Sequence, residues 1–161
     1  MKYLRFYYNF INNLNLYINI YTDGSSKGNP GPGGVGFIIL YITYFKEYSY
    51  KFRYTTNNRM ELYSIIFSLK TINKLINYKN LLFNIYSDSK YIINTIKYNY
   101  KIKKNYDLWN KLFKFNINKI NFFWVKGHNN NYYNEKCNLL ANNIINKKKY
   151  KIDFFYENLK K

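Results

Sequence analysis

Three of the chain's eight acidic residues lie where predicted secondary-structure elements begin or end. Asp23 ends the first predicted strand, Glu61 lies in the first turn of a predicted helix, and Asp88 ends a later strand. The ends of adjacent strands meet at one rim of a sheet, where active sites of such folds usually lie. Clustered carboxylate oxygens are the ligands that hard divalent cations such as Mg²⁺ prefer. The three positions together favour a metal site over three unrelated capping roles.

The single histidine and the single cysteine limit the remaining chemistry. His128 follows a predicted strand and a glycine, on an Asn-rich loop, which suits a mobile acid–base group; a structural role is the alternative. Cys137 excludes an internal disulfide and a Cys-based zinc site, and we interpret it as a small buried hydrophobe.

The elements that position these residues follow from periodicity. Three segments are rich in β-branched and aromatic residues: residues 16–22, "VGFIILYITYF" from Val35 and "EYSYKFRYT" from Glu47. They predict an antiparallel meander with a polar turn near Lys46. From Asn57 the period changes to that of a helix, with Thr56 as N-cap. The apolar positions that show this period are Leu62, Ile65, Ile66, Leu69, Ile72 and Ile76.

The second half of the chain alternates between the two periods. A strand is predicted from Leu81, helices over "SKYIINTIKY" and "YDLWNKLFKF", a strand from Ile120, and a final helix. The final helix has Cys137, Leu140, Ala141 and Ile144 on one face. The predicted order is βββαβααβα: an α/β fold with a five-stranded mixed sheet and helices on both faces.

Composition predicts one basic, soluble domain. The 161 residues carry a net charge of +18, which favours an anionic partner such as nucleic acid. Only three of the 26 cations are Arg, and abundant Lys, Asn, Ile, Tyr and Phe match AT-rich codons, so coding bias explains much of the charge. Neither a signal peptide nor a membrane span is evident. We expect a cytoplasmic monomer with no membrane association and no obligate protein partner.

Several motifs in order resemble the type 1 ribonuclease H family. They are "YTDGSSKGNPGPGG" after Ile20, "TTNNRMEL" from Thr55, "SDSKYI" from Ser87, "DLW" from Asp107 and "WVKGHNNNYYNEKCNLLA" from Trp124. The resemblance spans residues 16–145. It implies a ribonuclease H-like fold and a domain over residues 15–146, with residues 1–14 as an extension of unknown role and residues 147–161 as a basic, frayed tail.

The resemblance implies an endonuclease that hydrolyses the RNA strand of RNA–DNA hybrids. Two Mg²⁺ ions about 4 Å apart, replaceable by Mn²⁺, suit in-line attack on a phosphodiester. The implied catalytic residues are Asp23, Glu61, Asp88 and His128. The implied metal ligands are Asp23, Glu61, Asp88 and Asn138. The implied substrate contacts are Gly24, Asn29, Thr56, Asn57, Lys90 and Asn105.

Six of the seven glycines and both prolines lie between residues 24 and 36. A backbone without side chains can approach a nucleic acid closely, and glycine permits turns with φ > 0. We therefore expect residues 28–31 to approach the minor groove of the hybrid, where A-form duplexes are recognised by shape and by 2′-OH contacts. A plain structural turn is the alternative.

The chain departs from the family pattern at three places. Asn138 stands where the fourth acidic residue is expected, with Glu135 one turn earlier as another candidate. The basic handle of some relatives is absent or reduced to "KYNYKIKKN". Tyr54 replaces an Arg that contacts a DNA phosphate; Thr56 and Asn105 remain for that pocket, and Arg53 is one residue out of register. Asn138 motivates the alternative function, a catalytically weak or inactive hybrid-binding module.

Overall fold

The computed structural model describes residues 17–75, 81–127 and 129–159. Five strands form one mixed sheet in the order β3-β2-β1-β4-β5. The strands β1, β2 and β3 pair antiparallel, whereas β1 with β4 and β4 with β5 pair parallel. Their bounds are Tyr17–Ser26 (β1), Gly31–Tyr41 (β2), Tyr44–Thr55 (β3), Leu82–Ser87 (β4) and Ile120–Trp124 (β5).

Helices cover both faces of the sheet, which confirms the predicted fold class and element order. Their bounds are Asn57–Leu75 (α1), Lys90–Lys97 (α2), Tyr106–Leu112 (α3), Tyr132–Ile144 (α4) and Phe154–Asn158 (α5), and a 3₁₀ turn spans Ile117–Lys119. The short α5 was not predicted. Helix α1 packs on β1 and β2, and α4 packs on the other side of β1, β2 and β3.

Strand β1 alternates between the two helix layers. Ile18 and Ile20 are fully buried in the core with the apolar residues of α1, as the strand period of two requires. Tyr21 points the other way, where its ring lies 5.0 Å from that of Tyr133 on α4. The predicted α1 core residues are confirmed as buried (Leu62, Ile65, Ile66, Leu69 and Ile72); Ile76 lies outside the described residues. Cys137 is buried and free, as expected.

The predicted β2–β3 turn is displaced. The chain turns at residues 42 and 43, Tyr41 pairs with Tyr44, and Lys46 pairs with Ile39 inside β3. Local propensity misled the prediction here, because Ile42 is β-branched yet takes a positive φ of 51°. The pairing of β3 along the whole of β2 decides the turn, and exposes Ile42 at 74%.

The expectation of a frayed C-terminal tail is wrong for the described part of this segment. Lys151 joins the edge of β3: its carbonyl accepts a hydrogen bond from the Arg53 N–H at 3.0 Å, and its own N–H donates to the Lys51 carbonyl at 2.7 Å. Two residues later, Asp153 is completely buried. The segment is therefore part of the folded domain.

Among the described residues, no helix has the length and apolarity needed to cross a bilayer.

Candidate active site

Parallel pairing of β1 and β4 brings two of the carboxylates together. Thr22 is in register with Ser87, so the next residues, Asp23 and Asp88, lie side by side at the rim of the sheet. Asp23 is largely buried, and its Oδ1 accepts a hydrogen bond from the N–H of Gly24 at 2.7 Å.

Gly24 lets the third carboxylate approach. A Cβ added to Gly24 would lie 2.2 Å from the backbone nitrogen of Glu61 and 2.2 Å from the carbonyl carbon of Met60. Only glycine therefore permits α1 to lie this close to β1. Glu61 is the fifth residue of α1, just past the first turn in which it was predicted. The predicted substrate residue Gly24 thus has a packing role that the motif alone did not reveal.

Neutral donors hold the other two carboxylates. Asn57 donates from Nδ2 to Oε1 of Glu61 at 3.0 Å, and the hydroxyl of Ser89, the N-cap of α2, donates to Oε2. Asp88 Oδ2 accepts a hydrogen bond from Nδ2 of Asn134 at 3.2 Å. Within the described residues, no lysine or arginine forms an ion pair with any of the three carboxylates.

Burial and repulsion from neighbouring carboxylates make two of the three, Asp23 and Glu61, hard to ionise. Burial raises the pKa of Asp23 well above its usual range; the charge of Asp88 adds to this rise, the Gly24 N–H opposes it, and Glu61 contributes least. Burial likewise raises the pKa of Glu61 to about 7, against the Ser89 hydrogen bond and with help from Asp88. The described parts of the chain contain no three His, Cys, Asp or Glu side chains already gathered as a metal centre. Repulsion among these three carboxylates nevertheless marks them as neighbours, and no lysine or arginine of the described residues is ion-paired with them.

A cleft of about 280 Å³ lies beside the N-terminus of α1. It brings together three predicted substrate contacts, Asn29, Thr56 and Asn105, with Lys104. The Oδ1 of Asn29 also accepts a hydrogen bond from the N–H of Asn57 at 3.2 Å, and this bond links the glycine-rich loop to the start of α1. Thr56 precedes the helix as predicted, and its carbonyl accepts from the N–H groups of Arg59 and Met60. Lys104 was missed by sequence reasoning because one lysine among many gave no signal.

Asn105 is held in place by a buried arginine. It has a left-handed φ of 60°, and its Oδ1 accepts from Nη1 of Arg59 at 3.3 Å. Arg59 is only 1% exposed, and it makes two-pronged ion pairs with Asp107, at 2.8 Å, and with Asp153, at 2.6 and 2.7 Å. Burial lowers the pKa of Arg59, but these carboxylates outweigh that effect and raise it. The network joins α1, α3 and the C-terminal segment beneath the cleft.

Lys90 begins α2 two residues after Asp88. Its ammonium lies 5.2 Å from the ring centroid of Trp124 on β5, within cation–π range. The indole N–H of Trp124 donates to the backbone carbonyl of Asp88 at 3.1 Å. Lys90, a predicted substrate contact, therefore lies on the same side of the rim as Asp88.

The two side chains of α4 that were considered as metal ligands, Asn138 and Glu135, each accept a hydrogen bond from another residue. Asn138 accepts from Nδ2 of Asn142 at its Oδ1, at 2.6 Å, and Asn142 in turn accepts from the hydroxyl of Ser25. Glu135 accepts the N–H of Asn130 at 3.0 Å. Among described α4 residues, hydrogen bonding to the cluster comes from Asn134, which sequence reasoning did not single out among so many asparagines. His128 lies outside the described residues, so its role stays a prediction.

Comparisons with known proteins agree with one another. The family model described as RNase H matches residues 15–146. A ribonuclease H of Desulforamulus reducens is 41% identical over 139 residues and covers 77% of this chain and 84% of that protein. A ribonuclease HI of Haemophilus ducreyi is 42% identical over 138 residues, with 77% and 87% covered. The crystal structure of LC11-RNase H1 in complex with RNA/DNA hybrid superposes with a TM-score of 0.67 at 26% identity, and 80% of this chain and 96% of that chain are covered.

The sheet order, the helices on both faces and the acidic rim define a hydrolase with a ribonuclease H-like fold. Relatives at about 40% identity extend over most of the chain, so the likeness exceeds that of fold alone. The chain belongs to the ribonuclease H family, endoribonucleases that act on RNA–DNA hybrids.

Proposed function

We propose that this chain hydrolyses the RNA strand of RNA–DNA hybrids with two divalent cations held by Asp23, Glu61 and Asp88. The observation that carries the proposal is that Asp23 and Asp88 follow paired positions of β1 and β4 and that Glu61 on α1 packs against Gly24. In the described residues no cationic side chain is paired with these three carboxylates. Buried carboxylates that repel one another are stabilised when a cation joins them.

The donor set fits magnesium. Hard carboxylate oxygens suit Mg²⁺, which keeps part of its water shell and takes its other ligands from substrate phosphate; Mn²⁺ accepts the same donors. When bound, such ions activate water and stabilise the leaving oxygen of a phosphodiester. The chain's own contribution is to hold the carboxylates: Gly24 admits Glu61, and Ser89 and Asn57 orient it.

The cleft beside α1 is proposed to bind a phosphate of the hybrid. Asn29, Thr56 and Asn105 offer uncharged polar groups there, and Lys104 supplies the positive charge that Tyr54 cannot. Lys90, which lies beside Asp88, and Asn57, which holds Glu61, are proposed to contact the duplex next to the carboxylates. The hybrid bound to LC11-RNase H1 supports this class of substrate.

His128 and Asn138 complete the proposed machinery. His128, the one imidazole of the chain, serves in proton transfer. Asn138 has the amide oxygen that a hard cation accepts, but that oxygen is engaged by Asn142, so ligation requires that hydrogen bond to break. Because Asn138 is neutral where the family pattern has an acidic residue, hydrolysis needs a higher Mg²⁺ concentration. The three carboxylates remain in place.

The test is cleavage of a labelled hybrid with Mg²⁺ and with EDTA. Asp88→Asn should slow cleavage by about 10³-fold, equivalent to about 4 kcal/mol of transition-state stabilisation, because the chemistry depends on metal-bound charge. The variant should stay folded and keep its affinity for the hybrid, since a charge that repels phosphate is removed.

Glu47→Gln is the matched control. It also removes one carboxylate, but Glu47 lies on β3 and pairs with Lys136 at the surface. Normal turnover by Asp88→Asn would contradict the site. Hybrid binding by the parent chain without Mg²⁺-dependent cleavage would instead support the inactive binding module.

A further inference from the structure

Helix α4 places one buried amide against the acidic rim. Asn134 is only 2% exposed, and its Nδ2 donates to Oδ2 of Asp88 at 3.2 Å. Its backbone N–H is satisfied by Oδ1 of Asn131, the N-cap of α4. Its own Oδ1, however, is buried and has no hydrogen-bond partner among the described residues.

An unpartnered buried acceptor is unusual, because buried polar side chains nearly always have a partner. Rotating the amide by 180° does not remove the problem. It would turn Oδ1 toward the carboxylate of Asp88 and lose the hydrogen bond from Nδ2, so two acceptors would face each other. Asp88 therefore fixes the amide in the orientation that leaves Oδ1 free beside the carboxylates.

The other polar side chains of this region of α4 are already engaged. The oxygen of Asn138 accepts from Asn142, and that of Glu135 accepts from Asn130. Asn134 alone among these three combines a contact to the cluster with a free acceptor. The loop before α4 also approaches Asp88 closely, since a Cβ on Gly127 would lie 2.8 Å from its Oδ2.

We propose that Asn134 is a positioning residue of the divalent-cation site: its amide nitrogen holds Asp88, and its amide oxygen accepts a hydrogen bond from the water shell of the cation. The inference rests on the proposed function and gives α4 a second contribution to the site, beside the ligation proposed for Asn138. The Asn134 oxygen is neutral, so it adds no repulsion to the three carboxylates. When a hydrated cation binds, a water of its shell donates a hydrogen bond to this oxygen.

The experiment measures Mn²⁺ binding to the full chain without nucleic acid, by calorimetry, for the parent, Asn134→Ala and Asn143→Ala. Loss of an outer contact typically weakens metal binding by 10- to 100-fold, so Asn134→Ala should bind Mn²⁺ at least about tenfold more weakly. Asn143→Ala, the same change at an exposed position of α4, should stay within about twofold. Equal Mn²⁺ affinities for Asn134→Ala and Asn143→Ala would overturn the inference.

A purely structural role is separated by thermal unfolding in EDTA and in saturating Mn²⁺. A packing defect lowers the melting temperature equally in both, whereas a lost cation contact reduces the rise that Mn²⁺ produces. Asn134→Asp gives a second readout: it keeps the oxygen and adds charge, so it should unfold earlier in EDTA yet regain Mn²⁺ affinity. If Asn134→Ala lowers the melting temperature equally in EDTA and in Mn²⁺, and its Mn²⁺ affinity is unchanged, the inference is overturned.

Asp88→Asn distinguishes this failure from failure of the proposed function. If Asp88→Asn loses Mn²⁺ binding while Asn134→Ala keeps it, the metal site stands and the inference is wrong. If Asp88→Asn binds Mn²⁺ as the parent does, both the metal site and the inference are wrong.

Discussion

Glu61 is the clearest example of a residue whose chemistry comes from its surroundings. Its carboxyl group is buried at the start of α1, it accepts from Asn57 and Ser89, and Asp88 lies near enough to repel it. Without a cation, ionising Glu61 therefore works against the fold. The pH dependence of stability should reveal this cost directly.

We predict that the metal-free chain loses stability as pH rises from about 4.5 to about 7. Glu61 has a pKa raised from 4.5 to about 7 in the folded state, so in this window the native state holds more protons than the unfolded state, and stability falls. The loss from Glu61 is about 3 kcal/mol, at about 1.4 kcal/mol per pKa unit. Asp23, whose pKa is also raised, acts in the same direction.

Urea unfolding in EDTA at a series of pH values measures the slope. Glu61→Gln is the control, because a neutral side chain of the same size should flatten the curve and stabilise the chain above pH 7. A parent curve that rises across this window, or that coincides with the Glu61→Gln curve, would show that Glu61 ionises freely.

At the scale of elements, the cleft proposed to bind phosphate depends on the short connection between α2 and α3. Residues 98–105 form no long basic helix here, and Asn105 is anchored by Arg59 while Lys104 lines the cleft. The connection thus offers one well-placed cation instead of a separate basic handle.

Lys104→Gln should weaken hybrid binding by a similar factor for all sequences and reduce the log–log salt slope by about 1, because one phosphate contact is lost. The measurement is hybrid affinity at several salt concentrations. Lys103→Gln is the matched control, since Lys103 does not line the cleft. Equal slopes for both variants would remove Lys104 from the phosphate site.

Most elements could be predicted from the sequence because each motif lies where the hydrophobic period changes between that of a strand and that of a helix. The boundaries that failed depend on distant contacts. The turn at residues 42–43 is fixed by pairing along β2 and β3, and "YITYF" looks like uninterrupted strand. Asn134 was hidden because its role appears only when α4 packs beside Asp88, 46 residues away in sequence.

At the scale of the whole molecule, Arg59 links parts of the chain that no local pattern connects. It joins α1 to Asp107 on α3 and to Asp153, 94 residues further along the chain. Phe155 and Tyr156 of α5 also lie over its guanidinium, at 5.6 and 5.5 Å from their ring centroids. The basic tail looks frayed in sequence because the partners that hold Asp153, namely Arg59, Thr55 and Tyr63, are all distant along the chain.

Asp153→Ala should destabilise the chain by about 3 kcal/mol, because breaking a buried ion pair leaves a charge partly uncompensated. For a domain of this size the melting temperature should fall by about 10 °C. The control is Glu157→Gln, which affects a pair with the half-exposed Arg53 and should cost far less. Equal melting temperatures for Asp153→Ala and the parent would show that the Arg59–Asp153 pair contributes nothing to stability.

Helix α4 packs so closely on β2 that it also limits which substitutions β2 can accept as the gene evolves. A Cβ at Gly34 would lie 1.9 Å from the Ala141 carbonyl oxygen, and one at Gly36 would lie 2.2 Å from that of Cys137. The first carbon of any side chain already collides with backbone, so alanine and tryptophan should be rejected almost alike. Mutational tolerance at these two positions is therefore all-or-none. An AT-rich coding bias can change surface residues to lysine and asparagine, but here it must leave the GC-rich glycine codons intact.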